Sequence, residues 1–267
     1  MERSLGLMCG AGVLPARMAA EARRQGWRVV AFAFPGADGI EADRVVTCRI
    51  EAIGPILAAL AQEKVTAVAF AGKFWMRDLL GVAAPDADHA RLAARAGALV
   101  DADITRVIVE TLEGLGIELL DQRSLLGDWL GGARCWSARA PDEAAWADVR
   151  RGLAVARLAA DASVGQTVVV RRGVVGAVEA VEGTTEAIRR GTALVGHGAT
   201  VVKVAARAHD FRFDTPAIGP ETITAAAEGG AATVAIEAGR VLIVDRETVV
   251  AGADAAGIAL VSVVVDG

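Results

Sequence analysis

The chain has 267 residues, 54% of them hydrophobic, which is enough for one large domain or two ordinary ones with full cores. Its 28 Lys and Arg against 33 Asp and Glu give a formal net charge of −5. Without any basic run, that balance argues against a nucleic-acid surface, because phosphate backbones need a basic face.

The mean hydropathy of +0.41 points to strands buried on both faces, as in parallel sheets covered by helices. In the first half, "LGLM" predicts a strand, "LPARMAAEARRQG" a helix closed by Gly26, and "RVVAFAF" a strand. "IGPILAALAQEK" then predicts a helix and "TAVAFAG" a strand. Such alternation implies a parallel, Rossmann-like sheet with right-handed crossovers. A longer helical stretch runs from about Ala87 to Leu115, followed by "IELLD" as a strand. Between Ser124 and Arg151 the glycines, a proline and three tryptophans (Trp129, Trp136, Trp146) suit a connection between lobes. Within it "PDEAAWADVRRGLAVARLAADA" starts a helix, with Glu143 in its first turn.

The second half opens with a hairpin, "QTVVV", "RRG" and "VVGAVEAVEG". Helix "TTEAIRRGTALV", strand "ATVVKVAA", a charged segment and helix "PETITAAAEGG" come next, then strands "ATVAIEAG" and "RVLIVD", helix "RETVVAGADAAG" and strand "IALVSVVVD". The expectation is α/β in two lobes: a Rossmann-like domain over 1–132, a connector and helix over 133–162, and a mixed α/β domain over 163–267.

Three scattered cysteines, Cys9, Cys48 and Cys135, suggest neither a disulfide framework nor a paired-cysteine metal site, so the compartment reads as reducing. No stretch looks like a signal-peptide core or approaches the roughly 18 apolar residues of a membrane span. The expected location is the cytoplasm, with peripheral contact at a membrane surface left open.

Several places could carry chemistry. In "CGAGVLP", Gly10 and Gly12 would let backbone N–H groups approach a ligand at a helix N-terminus. Pro15 stands where a dinucleotide fingerprint has its third glycine, so a ligand-contacting loop, a plain tight turn and an NAD site all stay open. Lys73 follows the third predicted strand, at the carboxyl end of the sheet, where it could neutralise a phosphate or stand in solvent. Asp101 and Asp103 suit a helix first turn, whose dipole favours carboxylates. In "VEAVEGTTEAI", strand alternation puts Glu182 and Glu179 on opposite faces, while Thr184 or Thr185 could cap the next helix.

The segment "VVKVAARAHDFRFDTPAIGPETI" gathers the most charge. Thr215 precedes Pro216, which disfavours α geometry, so an extended path is expected, with Asp210, Arg212 and Asp214 on one side and Phe211 and Phe213 on the other. At a rise of about 3.3 Å per residue the two acids would stand roughly 13 Å apart at Cα, too far for one metal ion unless the chain bends. Asp214, beside the proline turn, is the expected reactive or metal-binding acid, and Asp210 is expected to orient Arg212 or Lys203.

Together these segments resemble the UDP-2,3-diacylglucosamine pyrophosphatases of the LpxI type. The motifs are "GLMCGAGVLP", "AGK", "GQTVVVRRGVVGAVEAVEGTTEAI", "VVKVA", "DFRFDTPAIGPETI", "VAIEAG" and "VLIVDRE", the C-terminal set being the specific one. The resemblance implies magnesium-dependent hydrolysis to UMP and 2,3-diacylglucosamine 1-phosphate, in two α/β lobes with the UDP-linked lipid between them, and is compatible with a homodimer. It implies Asp214 as the essential acid, with Asp210 a second candidate for Mg²⁺ and Lys203 and Arg212 on phosphate oxygens. Gly10, Gly12, Lys73, Glu182 and Thr184 are the expected substrate contacts. The chain departs from the family where "ARAHD" replaces "KPGQD" and where Thr185 replaces a frequent aspartate; Arg207 is the candidate to restore the lost charge. A relative that binds a nucleotide-linked ligand without turnover stays open, and an NAD-dependent oxidoreductase rests on Gly10 and Gly12 alone.

Overall fold

A computed structural model of the chain describes residues 3–74, 84–96, 101–126 and 129–265, with the backbone alone at 96 and 101–103. The chain divides into two compact units, one of residues 1–127 with 210–214 and one of residues 128–209 with 215–267. Five residues of the charged segment thus belong to the first unit.

In the first unit β1 (Ser4–Cys9), β2 (Arg28–Ala33), β3 (Arg44–Thr47), β4 (Ala67–Ala71) and β5 (Glu118–Leu119) form a sheet in the order β3-β2-β1-β4-β5. Every pairing in it is parallel. All six residues of β1 are buried, so both faces of the sheet are covered, and the strand reads as a continuous apolar run for that reason. Helix α1 (Leu14–Arg24) has Pro15 in its first turn and α2 (Ile53–Gln62) turns Ile56 and Leu60 inward. Met8, Val30, Phe32, Val68 and Leu112 belong to the core. β3 was not anticipated: it is an edge strand with exposed or half-exposed residues, so no buried alternation announces it. The expected long helix is two, α3 (Ala87–Ala96) and α4 (Asp101–Gly114). The side chains of Asp101 and Asp103 lie outside the described residues.

The second unit is built on a mixed sheet in the order β6-β13-β11-β9-β7-β8. β6 (Arg134–Cys135), inside the stretch expected to be a connector, is an edge strand antiparallel to β13 (Ala259–Val263). Helix α5 (Glu143–Asp161) begins where Asp142 accepts a hydrogen bond from Ala145 N at 2.8 Å. β7 (Thr167–Arg171) and β8 (Val174–Val178) form the expected hairpin. Its turn has Arg172 at φ 50° and Gly173 at φ 77°, the signs a two-residue hairpin loop requires. Buried Asp148 on α5 accepts from both turn amides, at 2.8 and 2.7 Å.

Helix α6 (Thr184–Val195) leads to β9 (Thr200–Lys203), which is antiparallel to β7. β10 (Ala217–Ile218) and helix α7 (Pro220–Glu228) precede β11 (Thr233–Glu237), which lies parallel between β9 and β13. The predicted strand "RVLIVD" supplies only β12 (Leu242–Ile243), paired with β10 in a separate two-stranded sheet, and α8 (Arg246–Ala255) follows it. Successive strand residues face opposite layers. Val168, Val170 and Val202 pack with Val149 and Ala156 of α5, while Val169, Val201 and Val234 pack with Ile188, Ala225 and Val249 of α6, α7 and α8.

Candidate active site

The order β3-β2-β1-β4-β5 reverses direction between β1 and β4, and the loops after these strands are where an open α/β sheet usually leaves a crevice. Here the two loops are joined. Gly10 N donates to Ala71 O at 2.8 Å, Ala11 N to Lys73 O at 3.1 Å and Lys73 N to Ala11 O at 2.8 Å. A Cβ on Gly10 would lie 2.4 Å from the Lys73 carbonyl oxygen, and one on Gly72, at φ +86°, would lie 2.6 Å from that of Ala11. Gly10 is therefore required for contact between two loop backbones. Gly12, at φ +99°, has nothing near its missing side chain, and Val13, the N-cap of α1, makes no side-chain cap hydrogen bond. The Lys73 side chain is exposed beside this bridge.

Phe34, Phe70 and Phe74 gather at the same carboxyl edge. Phe74 meets Phe34 and Phe70 edge-on at 5.4 and 6.0 Å between ring centroids. Phe213 stacks at a tilt on Phe70 at 5.4 Å, and buried Phe211 lies under the Arg123 guanidinium at 4.0 Å. Gln122 N donates to Phe211 O at 2.9 Å.

Residues 210–214 are not an extended strand. Phe213 N donates to Asp210 O at 3.3 Å and Arg212 N to Asp210 Oδ1 at 3.0 Å, so the chain turns and the aromatic residues provide the attachment. The bent path overturns the expected 13 Å spacing argument. Arg212 is held by both Asp210 oxygens, Nε to Oδ1 at 2.9 Å and a terminal nitrogen to Oδ2 at 2.8 Å. That hydrogen bonding raises the Arg212 pKa above its ordinary value. Asp121 and Arg123 make a similar pair. Burial pushes the Asp121 carboxyl up, but hydrogen bonds from the Arg123 side chain and backbone outweigh it and hold it below the usual carboxylate range. Asp214 is exposed.

In the second unit Lys203 ends β9 and is buried, with 6% of its surface exposed. Its ammonium donates to Thr184 Oγ1 at 2.6 Å, and the Thr184 hydroxyl donates to Glu179 Oε1 at 2.8 Å. The order is forced, because an ammonium only donates and the hydroxyl proton must then go to the carboxylate. Glu179 is buried and also accepts from Gln166 N at 3.3 Å. Thr184 is the first residue of α6, whose N-cap is Gly183.

β8 ends at Val178, so strand alternation extends to neither acid. Glu182 turns outward onto Arg190, whose hydrogen bond lowers the Glu182 pKa. Of the two acids weighed from the sequence, Glu179 is the one that joins Thr184 and Lys203. Arg207 is paired with Asp161 at the surface.

Other features narrow the chemistry. Burial pushes the Cys9 thiol up to about 12, with Cys48 a smaller contributor, and the Cys48 thiol up to about 11, so neither is poised as a thiolate. All three cysteines are free, Cys135 being the exposed one. Among the described residues no group of three or more His, Cys, Asp or Glu could hold a metal ion, and no helix is long and apolar enough to cross a membrane.

Comparison with known proteins covers nearly the whole chain. A family model described as the LpxI N-terminal domain matches residues 4–129, and one described as the LpxI C-terminal domain matches residues 132–261. The chain is 33% identical over 280 residues to the UDP-2,3-diacylglucosamine pyrophosphatase LpxI of Caulobacter vibrioides, covering 98% of each. Among solved structures, phosphoribosylglycinamide synthetase from Anaerococcus prevotii aligns at 13% identity over 66% of this chain and 38% of its own, with a TM-score of 0.24. A glycinamide-RNase-transformylase T from Mycobacterium tuberculosis aligns at 16% identity over 65% of this chain and 43% of its own, with a TM-score of 0.23. At those TM-scores nothing about this chain follows from either.

Proposed function

Because the chain belongs to the LpxI family, we propose that it hydrolyses the pyrophosphate bond of UDP-2,3-diacylglucosamine, a step of lipid A biosynthesis. The observation that carries the reading is 33% identity to a pyrophosphatase of that specificity across 98% of both chains. In the reaction a water oxygen bonds to one phosphorus, the bridging P–O bond breaks, and the water's protons are lost or shared with the departing phosphate. The products are UMP and 2,3-diacylglucosamine 1-phosphate.

Charge builds on phosphate oxygens as the bridge breaks, and fixed cations offset it without any covalent intermediate. Lys203 supplies a buried ammonium held in one orientation by Thr184. Arg212 supplies a guanidinium set by Asp210. Asp214 is the acid assigned to the reacting water or its metal, and Gly12 and Lys73 are assigned to the substrate.

Magnesium is part of the proposal. It needs no preformed protein cage, because it keeps several waters and takes one or two carboxylates together with phosphate oxygens. Asp214, an exposed acid, is the residue assigned to that donor set, and the Asp210 oxygens accept from Arg212. When bound, the ion would neutralise developing charge on the pyrophosphate.

The test is release of UMP from UDP-2,3-diacylglucosamine by the wild-type chain, with Mg²⁺ and with EDTA, beside Asp214→Ala. Release that needs Mg²⁺ and is lost in the variant is expected. No release by the folded wild-type chain would overturn the activity, and full release in EDTA would overturn the metal.

A further inference from the structure

The loop after β9 is held by charges that the proposed chemistry does not use. Glu237, the last residue of β11, and Arg157 of α5 form an ion pair at 2.6 Å with side chains only 4% and 7% exposed. Both grip one residue, Ala205: its N–H donates to Glu237 Oε2 at 2.9 Å and its carbonyl accepts from Arg157. Arg240, 3.2 Å from Glu237 Oε1, donates to the carbonyls of Ala206 and Arg207. The Arg207 amide donates to Asp161 Oδ1 at 2.7 Å. Three consecutive residues therefore have main-chain groups fixed by four charged side chains from α5, β11 and the turn after it.

Taking a guanidinium and a carboxylate out of water is a costly way to satisfy one peptide unit, and an apolar pair of similar volume often gives equal or greater stability. What the ion pair supplies is a single backbone path, two residues after Lys203 and five before Asp210. Resting on the reading above, we infer that Arg157 and Glu237 are positioning residues for the hydrolysis: they clamp the backbone of residues 205–207 and so fix Lys203, two residues upstream. The clamp holds the chain through main-chain groups.

The experiment is the double variant Arg157→Met/Glu237→Gln, which removes both buried charges and keeps an acceptor for the Ala205 amide, beside Glu237→Gln alone. UMP release, thermal midpoint and amide exchange of the peptide covering 203–210 are measured on each full-length protein. The single variant leaves Arg157 buried without its partner and is expected to lose both stability and turnover. In the double variant the midpoint is expected to return close to wild type while kcat stays down by about 10²-fold, with KM within about threefold, since small misplacements of a catalytic frame carry costs of that size. Exchange across 203–210 is expected to be faster than wild type. A double variant whose kcat recovers together with its midpoint would overturn the positioning role and leave a structural one. If the wild-type chain releases no UMP, the functional reading fails on its own, and exchange still decides the clamp: unchanged protection at 203–210 in the double variant would overturn it.

Discussion

In the first unit Asp210 and Arg212 pair with both side chains 40% exposed, whereas in the second Arg157 and Glu237 pair with 7% and 4% exposed. The surface pair competes with water and salt, and its worth lies in aiming a guanidinium. The buried pair cannot exchange partners with water, so each member depends on the other. The same contrast runs through the rest of the two edges. Phe211 and Phe213 fasten residues 210–214 by ring contacts, while Lys203, Thr184 and Glu179 form a buried chain of hydrogen bonds. Ring contacts attach the one segment, and buried charge fixes the backbone of the other.

That contrast can be broken at several points. The largest effect is expected from Asp214→Ala, which should lower UMP release by on the order of 10²–10⁴-fold, the range for losing an acid–base group. Its exposed position should leave the thermal midpoint unchanged. A variant that loses activity only through unfolding would show that the exposed edge is structural after all. Lys203→Met should do the reverse in character, costing about 3 kcal/mol in urea denaturation by leaving buried Glu179 without its cation through Thr184, as well as reducing turnover. A stable Lys203→Met protein would show that the buried chain does not bear on the fold.

Gly10→Ala sharpens the comparison within the first unit, where backbone contact holds the two loops. A methyl group 2.4 Å from the Lys73 carbonyl oxygen forces them apart, at an expected cost of about 1–3 kcal/mol in thermal or urea unfolding. No change would mean that the bridge between Ala11 and Lys73 yields freely.

The smallest effect concerns pH. The Asp121 carboxyl has a folded pKa below its unfolded value, so its contribution is present above the ordinary carboxylate pKa and is lost as pH falls through the depressed one. Asp121→Asn should therefore narrow the stability difference between pH 7 and low pH by less than about 1 kcal/mol, the limit for a pair this exposed, and added salt should shrink it further. Urea titrations of both proteins across that range check it, and a larger effect would mark the pair as more than a surface contact.

Much of this was legible because burial on both faces writes itself into composition. β1, β2, β7, β9 and β11 are built around apolar runs, and α6 starts at Thr184 where the sequence changes from strand to helix. The edge strands β3 and β6 left no such trace, since an exposed or two-residue strand needs no alternation. The turn at residues 210–214 leaves no local mark, because Thr215–Pro216 disfavours a helix but not a turn, and the rings of Phe211 and Phe213 hold it through Arg123 and Phe70. Glu179 carried half a signal as the alternative to Glu182. Arg157 and Glu237 carried less, standing out only as charges next to the apolar positions of α5 and at the end of an apolar strand.

By itself the sequence determined the α/β class, the parallel sheet of the first half, the hairpin and helices of the second, and the motif set that marks the family. These follow from periodicity, from turn residues such as Arg172-Gly173 and from local spacing. Only the tertiary structure decided that Gly10 serves a loop bridge, that residues 210–214 belong to the first unit, and that Glu179 and Glu237 are buried. The reason is physical: which charge is buried depends on partners tens of residues away, Lys203 for Glu179 through Thr184 and Arg157 for Glu237, and no local pattern records that choice.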